Sequence, residues 1–125
     1  MTNYLLDTDC SVYAMLGTHS RLRIRLAECE PGQVAISAIT YAELLMGQNL
    51  GHPPDRQAIA DFVSIVPILP FDEAASRAYG SLPFKRARFD RLLAAHALSI
   101  GATIVTNNEG DFADVPGLKV ENWTK

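Results

Sequence analysis

Four acids, Asp7, Glu43, Asp90 and Asp111, stand where the chain passes from an apolar run into a turn or enters a helical stretch. Carboxylates brought together repel one another unless a counter-charge intervenes, so a divalent cation is the natural resident of such a cluster. An oxygen-only donor set suits Mg2+ or Mn2+, which take a few carboxylates and complete their shells with water and substrate phosphate. Each acid also has a purely structural reading. Asp7 fits a turn residue or a helix cap. Thr40-x-x-Glu43 fits a capping box, in which Glu43 would bond the backbone at the helix start. Asp90 suits the first turn of a helix, with Arg86 four residues before it, and Asp111 suits an N-cap for Phe112-Ala-Asp-Val.

The elements that must position these acids alternate. Asn3–Asp7 reads as a buried parallel strand ending in an acid. A turn or two of helix follows from Asp9 to about Leu16, then a helix marked by Leu22, Leu26 and Cys29 that ends before Pro31-Gly32. Gln33–Ser37 reads as a strand, and Thr40 to Met46 as a helix start that Glu43 opens. Gly51-His-Pro-Pro54 breaks the chain before a helix from Asp55 to about Ser64. Ile65–Leu69 is the third strand, and Asp72 to about Leu82 is helical up to Pro83. Asp90–Ile100 is the strongest helix, rich in good formers and stopped by Gly101. Ala102–Thr106 is a buried strand, Asn107–Ala113 a polar loop with a short helical turn, and Leu118–Asn122 an edge strand. Alternation of this kind implies βαβ units, a mainly parallel sheet and helices on both faces. In such sheets the functional crevice lies beyond the C-terminal strand ends, where all four acids would gather on one rim.

Length and composition agree with one domain spanning residues 1–125. The chain has 125 residues, 48% of them hydrophobic and 20% charged, with no repeat or low-complexity tract. No segment approaches a membrane span or a signal peptide, which points to a cytoplasmic protein. Cys10 and Cys29 lack metal-type spacing and read as reduced thiols. The net charge of -3 is unusual for a nucleic-acid partner. It conceals two basic clusters, Arg21, Arg23 and Arg25, then Lys85, Arg86, Arg88 and Arg91. Neutralising four acids with a cation removes the deficit, so charge neither demands nor excludes a polyanion.

The stretches Leu5-Leu-Asp7-Thr-Asp, Ile36-Ser-Ala-Ile-Thr-Tyr-Ala-Glu43-Leu-Leu-Met-Gly, Asp90-Arg-Leu-Leu-Ala-Ala-His-Ala, Val105-Thr-Asn-Asn-Glu-Gly-Asp111-Phe and Val115-Pro-Gly-Leu-Lys-Val-Glu-Asn-Trp123 occur in this order. The ordered set closely resembles VapC-type toxins, the PIN-domain ribonucleases of bacterial toxin-antitoxin pairs, over essentially the whole chain. The resemblance implies a three-layer α/β/α sandwich around a five-stranded, mainly parallel sheet. It implies Asp7, Glu43, Asp90 and Asp111 as catalytic, metal-binding acids for Mg2+ or Mn2+, with Thr8, Thr106 and Asn108 as supporting polar groups. It further implies a VapB-type antitoxin as partner, transfer or ribosomal RNA as substrate, and a homodimer. Two features depart from the pattern. Asn108 lies near where many relatives carry a further acid, and the basic run Lys85-Arg-Ala-Arg-Phe89 replaces a Gly/Pro-containing loop.

Phosphodiester hydrolysis needs an activated water, in-line attack and charge relief, all of which a carboxylate-held Mg2+ can supply. Asp7, Asp90 and Asp111 are assigned chiefly to the metal. Glu43 either ligates or accepts a proton, and the spacing does not separate the two. Arg88 and Arg91 read equally as phosphate contacts or as a solvated helix face. His96 reads as a satisfied histidine, Trp123 as packing, and Tyr13, Tyr41 and Phe89 as residues able to stack on bases. Two other classes fit the scaffold: a non-catalytic module binding RNA or protein, with its acids kept as caps, and a phosphoacceptor receiver domain using Asp7 and Asp9. The receiver reading lacks the later Lys such a domain needs.

Overall fold

The central strands are apolar without alternation, as strands covered on both faces must be. In the computed structural model, which describes residues 1–83 and 89–125, Leu5 and Leu6 of β1 (Tyr4–Leu6) are both fully buried. All residues of β2 (Val34–Ser37) and β4 (Thr103–Val105) are buried as well. Strands β3 (Ile68–Leu69) and β5 (Lys119–Glu121) are more open, as sheet edges can be. The order is β3-β2-β1-β4-β5, and every pairing is parallel, with Leu5 aligned to Ala35 on one side and Ile104 on the other.

Neighbouring residues of one strand enter opposite layers. Leu5, Ala35 and Ile104 pack with Leu93, Ala94, Ala97, Phe112 and Val115. Leu6, Val34, Ile36 and Val105 pack instead with Cys10, Leu22, Leu44, Ile59 and Trp123. The second group brings in α1 (Thr8–Leu16), α2 (Ser20–Ala27), α3 (Ala38–Asn49) and α4 (Arg56–Ile65), one buried residue from each. The first brings in α6 (Phe89–Ile100), against which α5 (Glu73–Gly80) packs. This is the expected α/β/α sandwich. Ala94, Ala95 and Ala97 are fully buried, and these short side chains let the α6 backbone lie close to its neighbours.

The helix starts are written locally. Asp7, Asp55 and Asp72 each accept a backbone N–H three residues on, at 2.8, 2.9 and 3.0 Å, and so cap α1, α4 and α5. Gly17 ends α1 with φ of 69°, a left-handed conformation that glycine adopts freely.

Two expected boundaries move. The strand expected at Ile65–Leu69 shrinks to Ile68–Leu69, because α4 runs on through Ile65 and the Val66 amide still bonds to the Phe62 carbonyl. Strand pairing begins only where the Pro67 carbonyl accepts the Ile36 amide. The helix expected to open at Thr40 starts at Ala38, with Ser37 as its cap, the Ser37 hydroxyl accepting the Ile39 amide at 3.1 Å. Glu43 thus sits in the second turn, and the capping box is absent. Among the described residues no helix is long and apolar enough to cross a membrane.

Candidate active site

Strand β1 has β2 on one side and β4 on the other, so the chain leaves it in opposite senses, and a crevice opens beyond the ends of β1 and β4. Asp7 follows β1 directly. Its backbone amide bonds to the Val105 carbonyl at 3.0 Å, which fixes it against the end of β4. Its carboxylate accepts the Cys10 amide at 2.8 Å, so the capping reading and the site reading both hold. Burial pushes the Asp7 carboxyl above its ordinary range. Hydrogen bonds from the Thr106 hydroxyl and from Cys10 pull it back, and Asp9 adds a further upward push.

Thr8, the first residue of α1, donates its hydroxyl to Glu43 Oε1 at 2.6 Å. Glu43 is half-buried, and burial raises its carboxyl. The Thr8 bond opposes that rise, while Asp90, Asp9 and Asp7 reinforce it. The field of three other acids at Glu43 is the signature of a shared pocket, since isolated caps would not feel one another.

Asp90 enters from the first turn of α6. Asp111, exposed, comes from the 3-10 turn Glu109–Phe112, where its amide donates to the Asn108 carbonyl at 3.1 Å. Thr106 is fully buried beneath, and its hydroxyl accepts the Asn108 amide at 3.0 Å. Together Asp7, Thr8, Asp9, Glu43, Phe89, Asp90, Leu93, Asn108 and Asp111 line one cleft of about 190 Å3. All four expected acids are there, with Thr8 and Asn108 beside them and Thr106 below. Asp111 is not an N-cap, because it lies inside its own turn. Leu93 has no signal in the spacing, and Asp9 enters the sequence reading only through the receiver alternative. Asp9 shares the first turn of α1 with Thr8, and Asp7-Thr-Asp9 was the available signal.

Among the described residues no group of three or more His, Cys, Asp or Glu side chains stands close enough together to hold a metal ion as it is. The acids line an open cleft instead. That arrangement, all oxygen and partly desolvated, matches a hard cation that retains several waters and differs from a dedicated all-protein cage. A larger cavity of about 460 Å3, lined by Leu16, His52, Pro54 and Arg56 among others, contains one carboxylate, Asp55, which is occupied in capping α4.

The arginines divide. Arg88, like Arg86 and Lys85, lies outside the described residues. Arg91 is neither a phosphate contact nor a solvated face: it is only 5% exposed, with Nη1 at 3.3 Å from both Asp114 oxygens and Nη2 donating to the Pro83 carbonyl at 2.9 Å. His96 is a satisfied core residue, with Nδ1 at 2.7 Å from the Ser37 hydroxyl and Phe71 edge-on to its ring. Trp123 is buried and donates to Glu121 at 2.9 Å. Cys10 and Cys29 are free thiols.

Comparison with known proteins agrees with this geometry. Residues 4–118 match the model of the PIN domain. The chain is 33% identical to the "tRNA(fMet)-specific endonuclease VapC" of Shigella flexneri, over 99% of this chain and 100% of that protein. Among solved structures, DNA-bound VapBC from Salmonella typhimurium superposes with a TM-score of 0.84 at 27% identity, covering 98% of this chain and 99% of that one. A VapBC complex from Rickettsia felis, bound to a promoter fragment, gives a TM-score of 0.82 at 30% identity with the same coverage. With its acids gathered at the end of a central parallel strand and its whole length matched, this chain belongs to the PIN-domain family as a VapC-type member.

Proposed function

We propose that this chain is a metal-dependent endoribonuclease, the toxin of a type II toxin-antitoxin pair, and that Asp7, Glu43, Asp90 and Asp111 form its active site. The observation that carries this reading is the convergence of the four acids on one cleft. They arrive from the end of β1, from α3, from α6 and from the turn after β4. Packing alone gives no reason to gather like charges from four elements, and their repulsion opposes folding.

A Mg2+ or Mn2+ ion bound by Asp7, Asp90 and Asp111 would lower the pKa of a coordinated water and draw charge from a phosphate oxygen. The chain's own residues do the rest. The Asp7 carboxylate is oriented by Cys10 and Thr106, so one face remains for a ligand. Glu43 is held by the Thr8 hydroxyl, and the upward push of burial on its carboxyl makes it a stronger acceptor for a proton from an attacking water. Phe89, 57% exposed at the cleft, offers an apolar face on which an RNA base can stack.

The named activity of the Shigella flexneri relative supports transfer RNA as the substrate class. The VapBC complexes support a VapB-type antitoxin as partner. A homodimer working in the cytoplasm, where its RNA is found, completes the proposal. The binding-module alternative kept the acids as caps, and Glu43 is not one, because Ser37 caps its helix. The test is cleavage of transfer RNA by purified protein with Mg2+ or Mn2+. EDTA, Asp7→Asn and Asp90→Asn should each lower the rate by about two orders of magnitude or more. Equal cleavage by wild type and both variants would mean a contaminating nuclease and end the assignment.

A further inference from the structure

Among the described residues Arg91 is the single Lys, Arg, Asp or Glu that is buried. A guanidinium withdrawn from water is tolerated only when paired and hydrogen-bonded. What distinguishes this pairing is where its partners sit. Arg91 adjoins Asp90 in the first turn of α6. Asp114, which it meets at 3.3 Å through both carboxylate oxygens, lies just beyond the 3-10 turn that carries Asp111. Pro83, whose carbonyl it meets at 2.9 Å, belongs to the chain that precedes α6. One side chain therefore binds the segments bearing two of the four acids.

Apolar contacts also join these segments, since Phe112 and Val115 pack in one cluster with Leu93 and Ala94. Such contacts hold two layers together without fixing their slide. A planar guanidinium whose donors are spent on a carboxylate and a carbonyl at once fixes direction as well as distance. We propose that Arg91 is a positioning residue, which acts through Asp114 and Pro83 to set Asp90 and Asp111 at the spacing a shared cation requires. The proposal rests on the metal-dependent reading above. Displacing such a group by about 1 Å is enough to lower a rate by roughly a hundredfold.

The test compares wild type with Asp114→Asn, Asp114→Glu and Arg91→Lys. Three quantities are read: the Mn2+ dissociation constant of the metal-free protein by calorimetry, kcat and KM on transfer RNA, and Tm. Asp114→Asn, altered at a residue that is itself solvent-accessible, should remain folded, yet bind Mn2+ about tenfold more weakly and lose kcat by about tenfold, with KM unchanged. Asp114→Glu should recover most of both losses. Arg91→Lys keeps the charge without the fork and should resemble Asp114→Asn. A folded Asp114→Asn with wild-type Mn2+ affinity and kcat overturns the proposal, as does a loss of kcat that merely tracks the unfolded fraction. Asp7→Asn run in parallel separates the two levels. If it loses activity while Asp114→Asn does not, only the positioning role fails. If it too is fully active, the metal site fails and the positioning role with it.

Discussion

The Thr8 hydroxyl and Glu43 Oε1 lie 2.6 Å apart, joining the first residue of α1 to the second turn of α3 across 35 positions of sequence. The bond favours the ionised form of a carboxyl that burial and three neighbouring acids push toward the neutral form. Removing the donor with Thr8→Val should therefore raise the Glu43 pKa further. The acidic limb of the pH profile of kcat/KM should move to higher pH, with a loss of about tenfold at neutral pH, the size of one charged hydrogen bond. Rate measurements from pH 5 to 9 check this, and an unmoved limb would remove Glu43 from the proton path.

Asp7 has two duties, and two substitutions separate them. Asparagine retains the acceptor for the Cys10 amide, while alanine removes it at a cost of about 1 kcal/mol. Because the folded pKa of Asp7 is raised, its contribution to stability is full below the unfolded value of about 4 and is lost as pH rises through the folded value. In EDTA at pH 7, Asp7→Asn should melt above wild type, with the gap closing toward pH 4. Asp7→Ala should melt below Asp7→Asn throughout. Adding Mg2+ should raise the Tm of wild type more than that of either variant. An Asp7→Asn protein that melts well below wild type in EDTA would mean that the charge stabilises the fold.

His96 runs the other way. Burial lowers its pKa, against a smaller upward pull from Asp72. A depressed folded pKa gives stability that is full above the unfolded value of about 6.5 and is lost as pH falls through the folded value. Urea midpoints of wild type should fall more steeply between pH 7.5 and 5 than those of His96→Gln. Parallel slopes for the two proteins would show that folding leaves the pKa of His96 unchanged.

The strands and the strongest helix were legible because burial on both faces writes itself as an unbroken apolar run, as in Ala102–Thr106, and because Asp90–Ile100 combines helix formers with a glycine stop. The acids were legible as candidates, but their joint use depended on the ordered resemblance more than on spacing. What local pattern could not give was competition between neighbours. Ser37 is at once the last residue of β2 and the cap of α3, and this double role displaced the capping box expected at Thr40. Arg91 reads as an ordinary surface arginine, since the carboxylate that pairs with it lies 23 positions away. The Thr8 to Glu43 bond is likewise a product of β1 and β2 pairing side by side, which places the helices that follow them in contact.

The placement of β1 between β2 and β4 also governs when the molecule becomes dangerous to its maker. Translation delivers Asp7 and Glu43 early, yet Asp90 and Asp111 lie far along the chain, and Asp7 is locked in place by a carbonyl of β4. A nascent chain still short of β4 has neither the complete set of acids nor the strand that anchors the first of them. With the four acids proposed as the active site, a product that ends before β4 is expected to be inactive, so the cleaving centre assembles only once the last third of the chain has left the ribosome.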